Sequence, residues 1–499
     1  MRGFNFVIFA AVAACSVVSA SGESVCSRAA ASVSRLKEVL SDETLIYLPG
    51  TPEFIAASTR WSVLDAPTPN IVVVPASESD VVSTVKFANH LGIPILAFNG
   101  AHGSLTTLGK FDCGIEIYLS KLSSVNVSED GQTATIGGGT LAINVTNELW
   151  DAGKQTVTGT CECVSLLGPA LGGGHGWLQG HHGLVADQFV SMNIVLANGS
   201  LITVDETSDL WWAVKGAGHN FGLVTSLTVK IYDIEHTDWA IETIIFSGDE
   251  VEAIYDAANE YILKNGTQDA GLINWSYWLN IPAIDPEKPI ILFYIIQEGV
   301  AVIDSSITQP FHDLNPLSVT AESGTYQNLA AWTQISLGDA PCQKSGLVNP
   351  RFPLYLQTYN LTAQKEAYQV FTSNVNGSSP FNSSIYMFED YSSQGVKAID
   401  SDSSAFAFRD ANILSAPLLT YVPTDATRDQ QAATLGNQLR DILHAGSDEQ
   451  DYRVYVNYAY GDESPAEWYG SEGWRQQRLQ SLKKKYDPKG VFSFYAPII

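Results

Sequence analysis

The stretch "GTCECVSLLGPALGGGHG", residues 159–176, sets two cysteines close to a glycine triplet and decides the fold assignment. Cys161 and Cys163 are separated by one residue, a tighter spacing than zinc sites usually show, and the glycines supply no metal ligands. A disulfide between them would be strained, because residues two apart seldom bring their Cβ atoms to bridging distance. A redox pair would need Cys-x-x-Cys at a helix start. We therefore expect no metal here.

The first twenty residues predict a secretory signal peptide. Arg2 supplies a basic start, an apolar run follows, and Val18-Ser19-Ala20 offers small residues for cleavage. A signal anchor is the alternative. Passage through the secretory pathway is also predicted by eight Asn-x-Ser/Thr sequons. Their asparagines are Asn126, Asn144, Asn198, Asn265, Asn274, Asn360, Asn376 and Asn382.

The composition is acidic, with 27 Lys and Arg against 53 Asp and Glu and a net charge of −26. This charge argues against nucleic acid or an anionic membrane as a partner. We expect a secreted, soluble protein, a monomer, that binds a small-molecule substrate. Of six cysteines, Cys15 leaves with the signal. The remaining five are an odd number, so one thiol is either free or bonded to something other than sulfur.

The pattern of residues 71–97 predicts a βαβ unit. The strand "IVVV" precedes Ser77, which can cap a helix that ends at Gly92. A second strand, "IPILAF", leads directly into the loop "NGAHGS", residues 99–104. Farther along, residues 190–204 predict a hairpin that turns at Asn198-Gly199.

The residue composition changes after about residue 235, where glycine clusters disappear and apolar and aromatic strand patterns begin. Helical runs at 249–264, 363–375 and 425–445 alternate with these strands. The pattern predicts an α+β fold whose second half is an antiparallel sheet flanked by helices. The expected divisions are a signal at 1–20, a cofactor domain at 21–235, a substrate domain at 236–449 and a return to the cofactor domain at 450–499.

Several glycine-rich loops occur in the first half. Glycines at 172–174 let the backbone approach a ligand and can point amide N–H groups at an anion. Several such loops together indicate a large cofactor with a pyrophosphate. Their order does not fit the Rossmann fold, because "GGGHG" is not the G-x-G-x-x-G that follows a first strand.

Together the motifs resemble the vanillyl-alcohol oxidase superfamily, specifically the berberine bridge enzyme-like, oxygen-dependent FAD-linked oxidoreductases. "IPILAFNGAHGS" is similar to the family's strand and phosphate loop, and "CECVSLLGPALGGGHG" to its cysteine and glycine motif. "GLVADQF", "WWAVKGAGHNFGLVTS", "YVNY", "EWYG" and "YDPKGVF" match further stretches. The resemblance implies a two-lobed PCMH-type FAD-binding domain and a separate substrate domain, and it is weakest between about 236 and 449.

The resemblance implies that FAD is covalently bound. His102 corresponds to the histidine that bonds to the flavin 8-methyl group, and Cys161 to the cysteine that can add to flavin C6. Cys163 is out of register, so its substitution is expected to leave attachment intact; the alternative is that both cysteines are structural. Other positions implied to contact FAD are Asn99, Gly100, Ala101, Gly103, Val164, Gly168, Gly172, Gly173, Gly174, Gly176, Gly183, Leu184, Asp187, Gly222 and Val224.

This sequence departs from the family at two positions of the histidine loop. Phe98 stands where an arginine is common, and Ala101 replaces a glycine. Alanine can follow the glycine's path only if its φ is negative.

The implied reaction is hydride transfer from a substrate carbon to FAD, with O2 reoxidising the flavin to give H2O2. The substrate is expected to be an alcohol, a carbohydrate or a secondary metabolite. Tyr455, followed by Asn457, matches the tyrosine placed beside the flavin and is the candidate base, or else a packed strand tyrosine. Val164 matches a position where oxidases carry a small branched residue. The alternatives are a dehydrogenase using another acceptor and a flavin-bearing binding protein without turnover.

Overall fold

The predicted βαβ unit forms, and capping fixes the ends of its helix. Strand Ile71–Val74 leads into helix Glu78–Leu91, and strand Ile95–Phe98 follows. The Oγ of Ser77 accepts a hydrogen bond from the Asp80 amide at the N-terminus, and Gly92 adopts the left-handed conformation at the C-terminus. These observations come from a computed structural model that describes residues 25–499, so the predicted signal peptide lies outside the described residues.

Two small sheets build the first half. The two strands of the βαβ unit are separated by Ile115–Tyr118, which pairs in parallel with both. In spatial order the four-stranded sheet contains Leu45–Tyr47, Ile71–Val74, Ile115–Tyr118 and Ile95–Phe98. The five-stranded sheet contains Val125–Val127, Thr133–Gly137, Gly222–Lys230, Phe189–Leu196 and Leu201–Asp205. Its last two strands are the predicted hairpin, and Gly199 has a φ of +79° in the turn. A short pair, Lys154–Gln155 with Tyr232–Asp233, accompanies them.

One large antiparallel sheet builds the second half and confirms the α+β prediction. In spatial order its strands are Ser318–Gly324, Trp239–Phe246, Ile290–Glu298, Leu272–Leu279, Ile385–Tyr391, Ile413–Leu418 and Leu354–Leu356. Side chains alternate between its two faces. Trp278 and Phe388 face a layer of helices, whereas Trp275 and Tyr391 face the first half of the chain. The second face forms one wall of the site described below.

The helices vary in length, and the longest cover the outer face of the large sheet. The predicted helical runs in the second half are confirmed, although a π-helix over Ala258–Leu263 completes the first of them. The region that follows the predicted signal forms two short helices. The α-helices are Val25–Ala31, Val33–Lys37, Pro52–Ser58, Glu78–Leu91, Ala142–Asp151, Leu167–Leu171, Gln179–His182, Trp211–Ala217, Val251–Ala257, Ser305–His312, Leu329–Trp332, Leu361–Val375, Gln394–Lys397, Ala426–Ala445, Pro465–Tyr469 and Gly473–Tyr486. Within residues 25–499 no helix combines the length and apolar character that a membrane span needs.

Two disulfides account for four of the five cysteines that follow the predicted signal. Cys26 pairs with Cys113, which ties the first helix to the four-stranded sheet region. Cys163 pairs with Cys342, which joins the first half of the chain to the second. Cys161 keeps a free thiol. The odd cysteine count therefore resolves as one unpaired thiol, located in the stretch that decided the fold assignment.

Candidate active site

A deep cavity of about 770 Å³ lies between the first half of the chain and the inner face of the large sheet. This volume falls in the upper part of the range of roughly 300–1,000 Å³ that is typical of ligand sites. Its wall includes His102, Cys161 and Tyr455 from the predicted cofactor regions, and Trp275 and Glu389 from the large sheet. Residues far apart in the sequence therefore meet around one space.

The histidine of the "NGAHGS" loop is held in one tautomer. Its ring stacks on Trp61, with ring centroids 4.3 Å apart. Its Nε2 lies 2.8 Å from the carbonyl oxygen of Pro341, and a carbonyl can only accept, so Nε2 carries the hydrogen. Burial, aided by the charge of Arg351, lowers the pKa of His102 to about 3. The ring is therefore neutral, with its lone pair on Nδ1.

The free thiol lies close to that histidine. Side-chain atoms of His102, Cys161 and Cys163 come within 4.8 Å of one another. Because Cys163 is bonded to Cys342, it offers no thiolate, and the three residues do not form a zinc set. Burial raises the pKa of Cys161 to about 11, so its thiol is protonated at neutral pH. The cavity therefore places one free thiol beside one neutral imidazole.

The loop before His102 corrects one expectation. Ala101 has a φ of +56°, so the alanine follows the left-handed path of a glycine and does not keep a negative φ. This conformation costs an alanine about 1–2 kcal/mol. Phe98, which stands where an arginine is common, stacks on Tyr118 with ring centroids 4.7 Å apart. Asn99 donates to the carbonyl of Gly139 at 2.6 Å and fixes the loop to the five-stranded sheet region.

The glycine triplet does not present an anion cradle, which corrects the interpretation from sequence. The amides of Gly172 and Gly173 donate to carbonyls of their own turn, and Gly174 donates to the hydroxyl of Tyr455. A Cβ on Gly172 would lie 2.3 Å from Oδ1 of Asn457. Glycine is therefore required here because the backbone packs closely against the segment that contains Tyr455 and Asn457, with no room for a Cβ atom.

Tyr455 is buried and its oxygen is surrounded by hydrogen-bond donors. The side-chain amide of Asn457 donates to it at 2.8 Å and the backbone amide of His175 at 3.3 Å, in addition to Gly174. These donors favour the phenolate, but burial outweighs them and raises the pKa of Tyr455 to about 12. Residues around Tyr455 form a turn and not the predicted strand. Arg453 pairs with Asp410 and Glu449 and leaves Tyr455 without a cationic partner.

Sequence analysis missed Glu389, a buried acid in the cavity wall. Its two oxygens accept hydrogen bonds from Tyr391 at 2.9 Å and from Tyr458 at 3.0 Å. Burial raises the pKa of Glu389 despite these donors. The signal in the sequence is a pair of acids inside the apolar strand "IYMFEDY", residues 385–391. That pattern marks buried carboxylates, but it does not indicate which face of the sheet they occupy.

His175 also lines the cavity and is neutral. Its Nδ1–H donates to Gln179 at 2.8 Å, so its Nε2 accepts from the hydroxyl of Tyr355 at 2.7 Å. Burial lowers the pKa of His175 to about 4. With both ring nitrogens engaged by the protein, His175 positions its neighbours and has no free nitrogen for a reaction.

The structure divides the remaining predicted contacts into two groups. The first group lines the cavity and comprises Asn99, Gly100, Ala101, Gly103, Val164, Gly168, Gly222, Val224 and Asn457. The second group does not line the cavity itself and comprises Gly172, Gly173, Gly174, Gly176, Gly183, Leu184 and Asp187. Asp187 instead forms a bidentate ion pair with Arg409, at 2.8 and 2.9 Å. Both side chains are buried, so the pair connects the two halves of the chain.

One predicted glycosylation site is wrong. Asn274 is fully buried in the central strand of the large sheet, where its amide donates to the carbonyl of Tyr294 at 2.8 Å. A glycan cannot occupy that position in this fold. The other sequon asparagines are exposed or partly exposed, namely Asn126, Asn144, Asn198, Asn265, Asn360, Asn376 and Asn382.

The cavity fits a large cofactor with many hydrogen-bond acceptors. Five of its wall residues bury a polar atom that has no hydrogen-bond partner in the protein. These atoms are Arg60 Nη1, His219 Nδ1, Trp275 Nε1, Tyr294 OH and Arg351 Nε. Since buried polar groups are normally paired, such atoms indicate a wall built to meet a ligand. FAD carries a pyrophosphate and ring carbonyls that can accept bonds from the Arg60, Trp275 and Tyr294 donors. Nδ1 of His219 is instead an acceptor, because the Nε2–H of that ring donates to the carbonyl of Gly168 at 2.9 Å. His102 and Cys161 supply the two predicted attachment atoms.

Two family models match the chain. The FAD binding domain covers residues 69–205, and the model described as berberine and berberine like covers residues 454–499. These segments contain His102, Cys161 and Tyr455.

Curated relatives match over nearly the full length. The FAD-linked oxidoreductase chyH of Penicillium rubens is 60% identical over 463 residues, 93% of either chain. The FAD-linked oxidoreductase chry5 of Gibberella zeae is 58% identical over 475 residues, 93% of this chain and 94% of that protein.

A solved structure shows the same fold. Glucooligosaccharide oxidase from Acremonium strictum, described with a 6-S-cysteinyl, 8α-N1-histidyl FAD, superposes with a TM-score of 0.79. It is 19% identical, and the match covers 96% of this chain and all of that one. The predicted PCMH-type α+β fold with an antiparallel sheet is confirmed.

Proposed function

The chain belongs to the berberine bridge enzyme-like FAD-linked oxidoreductases, and we propose that it is a secreted oxidase with covalently bound FAD. The proposed reaction removes a hydride from an alcohol, carbohydrate or secondary-metabolite carbon and passes the electrons to O2. The observation that carries the proposal is the convergence of His102, Cys161 and Tyr455 on one cavity. FAD, when bound, supplies hydride acceptance and the reduction of O2 to H2O2.

His102 is suited to attach the cofactor through Nδ1. The hydrogen bond from Nε2 to Pro341 leaves Nδ1 with the lone pair, and the lowered pKa of His102 keeps that lone pair free at neutral pH. The stack on Trp61 fixes the plane of the ring. Cys161 is the second attachment atom, and its bond requires loss of the thiol proton. The proposed sites of attachment are therefore two preoriented nucleophiles.

Tyr455 is proposed to take the substrate's proton at its phenol oxygen. Three N–H donors, from Gly174, His175 and Asn457, point at that oxygen and stabilise negative charge on it. Asn457 is itself fixed by a bond to the carbonyl of Pro169 at 2.9 Å. Because burial keeps the pKa of Tyr455 high, the phenolate is a minor form in the free protein and a strong base when it is present.

Secretion and the use of O2 draw support from different features. Two disulfides are typical of chains that fold in an oxidising compartment, and seven sequons are accessible. Val164 lines the same cavity as Cys161, at the position where the resemblance places a small branched residue in oxidases. A cofactor bonded to the protein would also not be lost by dilution outside the cell.

The test is a substrate screen read by peroxide. The purified protein is supplied with alcohols, sugars and aromatic metabolites in air, and H2O2 is measured. An oxidase forms one H2O2 per substrate oxidised. Flavin that is reduced by substrate but reoxidised only by a dye or quinone identifies a dehydrogenase and contradicts the proposal.

A further inference from the structure

Arg351 is a buried cation without a carboxylate partner. Its side chain is 7% exposed and lines the cavity, and its Nε has no hydrogen-bond partner. Every other buried cation among residues 25–499 forms a salt bridge. The pairs are Arg60–Glu116, Arg409–Asp187, Arg440–Glu463, Arg475–Glu472 and Lys483–Asp487. A buried charge left unpaired is costly, so Arg351 calls for a partner that the chain does not provide.

Aromatic rings hold the guanidinium in place. Its central carbon lies 4.6 Å from the ring centroid of Trp61 and 4.3 Å from that of Tyr458. Cation–π contacts of this kind stabilise the charge without using its N–H donors. The donors therefore remain available to a molecule in the cavity.

The nearby acid does not form an ion pair with Arg351. Glu389 feels the charge of Arg351 but forms no salt bridge with it, since its two oxygens accept from Tyr391 and Tyr458. Burial raises the pKa of Glu389 and favours its neutral form. Glu389 therefore leaves the N–H donors of Arg351 without a carboxylate partner in the protein.

The rest of that wall suits a flat apolar body. Trp275, Tyr277 and Tyr391 line the cavity, and Trp275 packs at a tilt against Trp177 with ring centroids 4.4 Å apart. Apolar side chains such as Leu292 and Met387 fill the spaces between them. An aromatic ring bound against these side chains gains contact area.

We propose that Arg351 binds an anionic group of the substrate, so that the enzyme acts on a small organic acid with a planar apolar body. A carboxylate matches the fork of the guanidinium in two parallel hydrogen bonds. The inference rests on the proposed function, because it places the substrate in the same cavity as FAD. It adds a substrate class that neither the fold nor the family fixes.

Benzoate and benzamide test the proposal because they share shape and differ in charge. Their dissociation constants are measured on the flavin-loaded protein by perturbation of the flavin spectrum, expressed per flavin. Wild type is expected to bind benzoate at least about tenfold more tightly than benzamide. Arg351→Gln should remove that preference and Arg351→Lys should retain part of it. Lys365→Gln, which alters an exposed cation paired with Glu252, is the matched control and should change nothing.

The comparison of benzoate and benzamide binding to the wild-type protein tests the proposal even if the variants fail to fold. Equal binding of the two probes, or no binding of either, overturns the proposal. A preference for benzoate that survives in Arg351→Gln also overturns it, because another group would then bind the anion. Binding does not depend on turnover, so a failed peroxide screen with intact benzoate selectivity would contradict only the oxidase activity.

Discussion

The Sγ of Cys161 lies 3.6 Å from the Sγ of Cys342, the same distance that separates it from Cys163. The thiol therefore sits beside the Cys163–Cys342 disulfide and not on the axis of its S–S bond, where an attacking thiolate would have to lie. Burial also keeps the thiol protonated. The free thiol and the disulfide are therefore both stable. Because Cys163 and Cys342 are bonded to each other, neither sulfur can form a disulfide with Cys161.

This relationship changes the expectation for Cys163→Ser. Since Cys163 does not align with the family's flavin-binding cysteine, the sequence predicts that Cys163→Ser leaves flavin attachment intact. The substitution also breaks the disulfide, however, and gives Cys342 a free thiol next to Cys161. Under oxidising expression, loss of two electrons and two protons joins these thiols, so we expect the Cys161 bond to flavin to disappear while His102 retains the cofactor. Peptide mapping without reduction should show a Cys161–Cys342 linkage.

The double variant Cys163→Ser/Cys342→Ser is the control. Among Cys161, Cys163 and Cys342, this variant again has a thiol only at Cys161. The flavin bond to Cys161 should therefore form again. If the single and double variants show the same state of Cys161, the disulfide does not protect the thiol.

Tyr455→Phe should preserve the flavin spectrum and slow flavin reduction by substrate about 10²-fold or more. The pKa of Tyr455 is raised to about 12, so the reactive phenolate grows as pH rises toward that value. The wild-type reduction rate should therefore increase with pH through the neutral and mildly alkaline range. Stopped-flow traces at several pH values measure both effects. A pH profile unchanged in Tyr455→Phe would assign the proton transfer to another group.

Ala101→Gly should stabilise the fold by about 0.5–1 kcal/mol, because glycine adopts a positive φ without the strain of a Cβ. Gly92→Ala is the matched control. Its φ is +62° with no atom within 4 Å of an added Cβ, so it should lose a similar amount through conformation alone. Denaturant unfolding measures the two free energies. A loss of stability in Ala101→Gly would show that the methyl group contributes more by packing than it costs in strain.

The ion pair of Asp187 and Arg409 is expected to stabilise the join between the two halves. Arg409→Met leaves a buried carboxylate unpaired and should reduce the free energy of unfolding by about 3–5 kcal/mol. Adding Asp187→Leu removes the orphaned charge and should recover most of the loss. Flavin content should be the same in the double variant as in wild type, since neither residue lines the cavity itself. If the folded double variant lost its flavin, the result would support the original prediction that Asp187 contacts FAD.

Local signals predicted local structure well. Ser77 and Gly92 mark the two ends of a helix, and Asn198-Gly199 marks a hairpin, because each acts within a few residues. The same reasoning misjudged the triplet at 172–174, since a glycine shows that something comes close but not whether it is a ligand or the chain itself. The prediction of a glycosylation site at Asn274 was wrong for a similar reason, because a sequon carries no information on burial.

The substrate side of the cavity depends on pairing across the large sheet. Glu389 faces the cavity because its strand aligns with Leu272–Leu279, and Arg351 reaches Trp61 across nearly 300 residues of sequence. No local pattern specifies such contacts. His102 and Cys161 could be predicted because their motifs are distinctive, and their assignment to one flavin ring already implied that they lie close together.

Mass spectrometry of proteolytic peptides from the acid-precipitated protein tests the central claim most directly. We expect the flavin to remain in the pellet and its mass to appear on the peptide that contains His102 and on the one that contains Cys161. His102→Ala and Cys161→Ser should each retain the flavin through the other bond, and the double variant should release it. A colourless protein that takes up no FAD, or flavin bound to neither residue, would contradict the account.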